Sequence, residues 1–190
     1  MPPTEFRYGT TKSTFSETFK FNTSVSPLEV PTTPSSATTF TFSTTGPASN
    51  TSLCSNGCAV LSVHFIDNQA AYYTSAALQT FSAPVNLMGA TVAFSYAIDN
   101  PAQVPVQVQV FVTDGWKWGT PTTVGGTGLA AYSPPTGFAA ETLSPVDNPN
   151  GFCASATKVV GLQVQNATPI TSTTAGTVTI YIASLGITVP

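Results

Sequence analysis

Residues 104 to 118 read "VPVQVQVFVTDGWKW", and the pattern in them decides the fold. Val104, Val106, Val108, Val110 and Val112 alternate with Pro105, Gln107, Gln109, Phe111 and Thr113. Side chains of a strand point alternately to its two faces, so this period gives one apolar face and one face of amides and an aromatic ring. The valine face belongs in a core. If Asp114-Gly115 makes a two-residue type I′ hairpin loop, Thr113 pairs with Trp116, Val112 with Lys117 and Phe111 with Trp118. Directly paired residues share a face, so Trp116 and Trp118 are expected beside Gln107, Gln109 and Phe111. A four-residue loop would keep Trp118 there; an odd-length loop would bury it.

The same alternation recurs outward from this stretch. Leu61, Val63 and Phe65 of "CAVLSVHFIDN" are expected inward, with Ser62 and His64 outward. Val92, Phe94, Tyr96 and Ile98 repeat the plan, as do Leu162 with Val164, and Val178, Ile180 and Ile182. "TFSETFKFNTSV" sets Phe15, Phe19 and Phe21 in a first strand, and "TTFTFST" alternates again after a proline-rich loop at 26 to 36. "AAYYTSAALQTF" has the residues of a strand rather than a helix. Short β-prone runs punctuated by Asp-Asn, Asp-Gly, Asn-Pro and Gly-Gly predict an all-β fold, a two-sheet antiparallel β-sandwich of the jelly-roll kind. Residues 1 to 12 lack periodicity and are expected to be a flexible lead-in to one domain at 13 to 190. A chain of 190 residues can build one such core.

Composition narrows the partners. Charged residues make up 7% of the chain, against about 25% in an average soluble protein. Five Lys plus Arg stand against eight Asp plus Glu, which leaves a net charge of −3 and no basic patch for nucleic acid or anionic lipid. No apolar run approaches the length that spans a bilayer. An uncharged polar surface suits an extracellular setting, so the domain is expected to be secreted. Cys54 and Cys58 bracket the turn sequence "SNG" and are expected to form a disulfide with Cys153 left over, the other pairings being Cys153 with Cys54 or with Cys58, which would tie distant segments. The competing arrangement is a zinc site from Cys54, Cys58, Cys153 and His64.

Catalytic carboxylates are hard to find. Glycosidic cleavage ordinarily takes a pair of them. Asp67, Asp99, Asp114 and Asp147 all precede Asn or Gly, where an aspartate folds a turn onto its own backbone. Glu5 falls in the lead-in and Glu29 in the proline loop, so Glu17 and Glu141 remain as the one pair an enzyme could use. The outward face has an explanation that needs neither charge nor metal. Gln163 and Gln165 repeat the amide pattern of Gln107 and Gln109, and Tyr181 stands between Ile180 and Ile182. Aromatic faces stack on the C–H faces of sugar rings, and glutamine offers one acceptor and two donors to paired hydroxyls.

The runs "NLMGATVAFSYAIDNPAQVPVQVQVFVTDGWKWG" and "KVVGLQVQNATPITSTTAGTVTIYIASLGITV" resemble the β-jelly-roll carbohydrate-binding modules of bacterial cellulases, mannanases and xylanases. The likeness lies in Leu87 to Gly89, Gln107 to Trp118, Val160 to Val164 and Gly176 to Ile182, and covers residues 86 to 187. It implies a non-catalytic module beside a glycoside hydrolase, binding a neutral plant polysaccharide such as a β-glucan, mannan, xylan or xyloglucan. The implied contacts are Gln107, Gln109, Phe111, Trp116, Trp118, Gln163, Gln165 and Tyr181. Many such modules hold a structural calcium through an acid in the last strand, but "TIYIASLG" has none, so no metal or other cofactor is expected. The alternatives are a structural or adhesive sandwich with a protein partner, and a glycan-active enzyme using Glu17 and Glu141.

Overall fold

The computed structural model describes residues 15–20, 38–66, 72–115, 117–125, 133–166 and 175–189; of 15–20, 38, 72–77 and 124–125 it describes the backbone. The lead-in, Phe21, the proline loop, Asp67 and Trp116 lie outside the described residues. Ten strands are found among them: β1 Phe15–Lys20, β2 Thr38–Ser43, β3 Cys58–Phe65, β4 Tyr72–Val85, β5 Thr91–Asp99, β6 Val106–Thr113, β7 Thr122–Gly125, β8 Ala139–Leu143, β9 Thr157–Asn166 and β10 Gly176–Val189. A single turn of 3-10 helix at Ala154–Ala156 precedes β9.

They form the expected two-sheet antiparallel sandwich. One sheet runs β2-β3-β10-β5-β8, with β1 also against β10; the other runs β4-β9-β6-β7. The valine face of β6 is buried throughout and meets Leu162 and Val164 of β9 in one core with Leu61, Val63, Phe65, Val92, Phe94, Val178, Ile180 and Ile182. Each fully buried Val, Leu, Ile or Phe contributes about 1.5–3 kcal/mol relative to exposure. Tyr96 and Ile98 are half-buried at its margin. β10 keeps its apolar residues inward past Ile182 by a bulge: Ile182 pairs with Tyr96 but Ser184 with Ser95, so Ala183 is the extra residue and Leu185 and Ile187 face the core.

Cys54 and Cys58 are joined by a disulfide. The bond consumes two of the four ligands a zinc site would have used, and no metal-binding cluster occurs among the described residues. Cys153 is free and half-buried. His64 does surface work, its Nδ1 meeting the Thr177 hydroxyl at 3.1 Å.

Candidate functional site

The outer face of the four-stranded sheet is built by register. Gln107 pairs with Gln165, Gln109 with Gln163, and Phe111 with Gly161. β4 adds Tyr73 opposite Gln165 and Ser75 opposite Gln163. β7 puts Thr123 opposite Gln109. The four glutamines are all half-buried, and these registers hold no carboxylate, lysine, arginine or histidine.

The loop after β6 has four residues, not two: Thr113 bridges to Trp118. A type I′ turn would need positive φ at Asp114 as well as Gly115. Gly115 has φ 104°, whereas Gln103 is the one non-glycine with positive φ among the described residues. Asp114 caps the loop instead, its Oδ1 accepting from the Lys117 N–H at 2.8 Å. Thr113 closes it from below, its hydroxyl donating to the Lys117 carbonyl at 2.7 Å and accepting from the Gly115 N–H at 3.0 Å. Since four is even, Trp118 still falls on the glutamine face.

Trp118 lies on Phe111 with ring centroids 3.9 Å apart and planes 23° from parallel. Phe111 is 3% exposed and Trp118 37%. The side-chain-free Gly161 stands opposite Phe111. Phe111 is thus the floor of the stack rather than a free contact, and the indole above it is the ring open to solvent. The backbone around Trp118 is tightly held. Asn148 Nδ2 donates to the Trp118 carbonyl at 2.7 Å, and the Gly119 N–H donates to the Val112 carbonyl at 2.8 Å. A Cβ at Gly119 would come within 2.7 Å of Val112 Cγ2 and 3.0 Å of Phe152, so only glycine fits.

Two of the amides are linked. Gln165 Nε2 donates to Gln107 Oε1 at 2.7 Å, and Gln107 Nε2 donates to Thr123 Oγ1 at 2.9 Å. The row crosses three strands, β9, β6 and β7. Thr123 and Asn148 carry no signal in the sequence: one sits in a short threonine run, the other in what reads as an ordinary Asp-Asn-Pro turn.

Tyr181 is on the other sheet. β10 pairs with β3 and β5, so the outward side of Tyr181 is the opposite surface of the sandwich from the glutamines. It is 8% exposed and packs with the Cys54–Cys58 bridge, Val60 and Ala97 beneath Leu53 and Phe138. Alternation tells in from out but not which sheet a strand joins. Burial, and secondarily the charge of Asp99, hold the Tyr181 phenol above its ordinary range. Burial and Glu141 do the same to Tyr96.

The candidate carboxylates are not brought together. Glu17 is on β1 and Glu141 on β8, with β10 and β5 between them. Three strand spacings make about 14 Å between backbones, against about 5–9.5 Å between paired catalytic carboxyls. Glu141 Oε1 accepts from the Thr142 N–H at 3.1 Å. Of the aspartates, Asp114 folds its own loop as expected. Asp147 reaches seven residues on, accepting from the Ala154 N–H at 2.7 Å. Beside Asp99 it is Asn100 that closes the turn, exchanging two hydrogen bonds with the Val104 backbone at 2.9 Å each.

Two antiparallel sheets in this arrangement form a β-sandwich of the jelly-roll kind. Among solved structures, the chain is similar to a xylan-binding module CBM15, with TM-score 0.52 and 14% identity over 93% of this chain and 97% of that one. It also aligns with a mutant Xylanase10C from Cellvibrio japonicus in complex with xylopentaose, at TM-score 0.41 and 14% identity over 85% of this chain. There it spans only 26% of the other chain, and the looser superposition adds nothing to the first. No family model and no curated protein matches the sequence.

Proposed function

We propose that the protein is a non-catalytic carbohydrate-binding module that takes a neutral plant-type β-polysaccharide on the outer face of β4-β9-β6-β7. One observation carries this reading: a solvent-open indole braced on a buried ring lies on the same uncharged face as four half-buried glutamines. An indole face suits the C–H side of a pyranose, and amides suit its hydroxyls. Trp116, two residues before Trp118 in sequence, is proposed as a further contact. The fold shared with a xylan-binding module makes xylan the first glycan to try, ahead of mannan, β-glucan and xyloglucan. In this reading the module is secreted and holds an attached or neighbouring glycoside hydrolase near its substrate.

The test is native electrophoresis through gels containing each of the four soluble glycans. Retarded migration in at least one is expected, with no growth of reducing ends when that glycan is incubated with the protein. Migration unretarded in all four would favour a structural or adhesive role. Reducing ends that accumulate with time would make the domain an enzyme.

A further inference from the structure

The four glutamines divide into two kinds, and we infer that Gln107, Gln165 and Thr123 form a positioning row while Gln109 and Gln163 are the pair that meets the sugar. The inference rests on the glycan-binding reading of this face and assigns a role to Thr123. Gln107 accepts from Gln165 at 2.7 Å and donates to Thr123 at 2.9 Å. An amide bonded at both its oxygen and its nitrogen cannot turn alone; the row reverses only as a unit. It is therefore a preformed element of fixed geometry, and ordering it costs nothing when ligand arrives.

Gln109 and Gln163 are directly paired and half-buried, and neither side chain hydrogen-bonds to another among the described residues. Together they hold four N–H donors and two carbonyl acceptors with no side-chain partner among the described residues. Unmade bonds at a half-covered site are costly unless water or ligand fills them. Along β6 and β9 this pair lies between Gln107–Gln165 and the Trp118–Phe111 stack, two residues from each, while Thr123 stands beside Gln109 on β7. A sugar seated on the indole thus meets Gln109 and Gln163 first, with Gln107 and Gln165 as the wall beyond. Thr123 acts through Gln107, by holding its amide upright.

A double-mutant cycle on the full chain separates acting through Gln107 from touching the sugar. The variants are Thr123→Val, Thr123→Ser, Gln107→Met and the Thr123→Val/Gln107→Met pair, titrated with soluble xylan or whichever of the four glycans retards the wild type most. Thr123→Val should weaken binding about three- to tenfold, and Thr123→Ser, which restores the hydroxyl, should recover most of it. In the Gln107→Met background Thr123→Val should change nothing further. Urea midpoints should stay together, since Thr123 is exposed. An equal loss from Thr123→Val in both backgrounds would make Thr123 a direct contact and overturn the inference. So would a silent Thr123→Val in the wild type, although glycan binding itself would stand. A wild type that binds none of the four glycans would remove the functional reading and this inference with it.

Discussion

The two outer faces of the sandwich start from similar sequence and end differently. On the six-stranded sheet, polar side chains satisfy one another: Ser62 meets Thr179 at 3.2 Å and His64 meets Thr177 at 3.1 Å. Its aromatic residue, Tyr181, is covered by the disulfide loop and its neighbours. On the four-stranded sheet the aromatic ring is open to solvent and two of the four amides have no side-chain partner among the described residues. Residue type alone would not separate these surfaces. What separates them is bonding capacity and apolar area left unused after folding, and that leftover is what a ligand can bind.

If the contrast holds, substitutions on the two faces should damage different properties. The largest effect is expected at Tyr181→Ala, which removes a buried ring from its cluster and should cost about 3–5 kcal/mol of unfolding free energy. Glycan affinity in the folded protein should be unchanged. A loss of affinity without a loss of stability would return Tyr181 to the binding surface. Next is the disulfide: Cys54→Ser with Cys58→Ser opens a short loop, for which the chain-entropy relation gives about 2 kcal/mol. Mass analysis of the unreduced protein should find one alkylatable thiol, at Cys153, and three would disprove the bridge.

On the other face the direction reverses. Trp118→Ala and Gln163→Ala should each weaken glycan binding by about 1–3 kcal/mol, or roughly ten- to a hundredfold, and move the urea midpoint little. Val108→Ala, one residue from Gln109 but fully buried, should cost about 1–3 kcal/mol of stability. Early melting of Trp118→Ala with normal binding would mean that the ring serves the core.

How much of this the sequence holds depends on the range of the cause. In and out along β6, β3 and β9 follow from a period of two and were legible residue by residue. Cys54–Cys58 was legible because its partners are four residues apart, whereas the role of Asn148 was not, since it reaches thirty residues back to Trp118. Trp118 was placed on the correct face although the loop was misjudged, because two-residue and four-residue loops share parity. The loop length itself turned on whether Asp114 would take a positive φ, and its carboxylate found a better use. Tyr181 was misplaced because period cannot say which of two sheets a strand joins. The hydrogen-bonded row was hidden for the same reason: Gln165, Gln107 and Thr123 meet only once β9, β6 and β7 are aligned.

The smallest and last effect distinguishes the faces by pH. Tyr181 and Tyr96 have folded-state pKa values raised, mainly by burial, above the unfolded value of about 10. Above that value the unfolded chain gives up these protons more readily than the folded one, so unfolding becomes easier as pH rises. The stabilising contribution is therefore complete below about pH 10 and is lost as pH rises from there through the folded-state values. Tyr181→Phe should flatten part of that alkaline decline in urea midpoints. The described registers of the glutamine face hold no carboxylate, lysine, arginine or histidine, so glycan affinity should be level from about pH 5 to pH 9, a window that spans the ordinary histidine range and stops short of the tyrosine one. A step in affinity inside that window would mean that an ionisable group takes part in the binding event, which would move the ligand off the glutamine face.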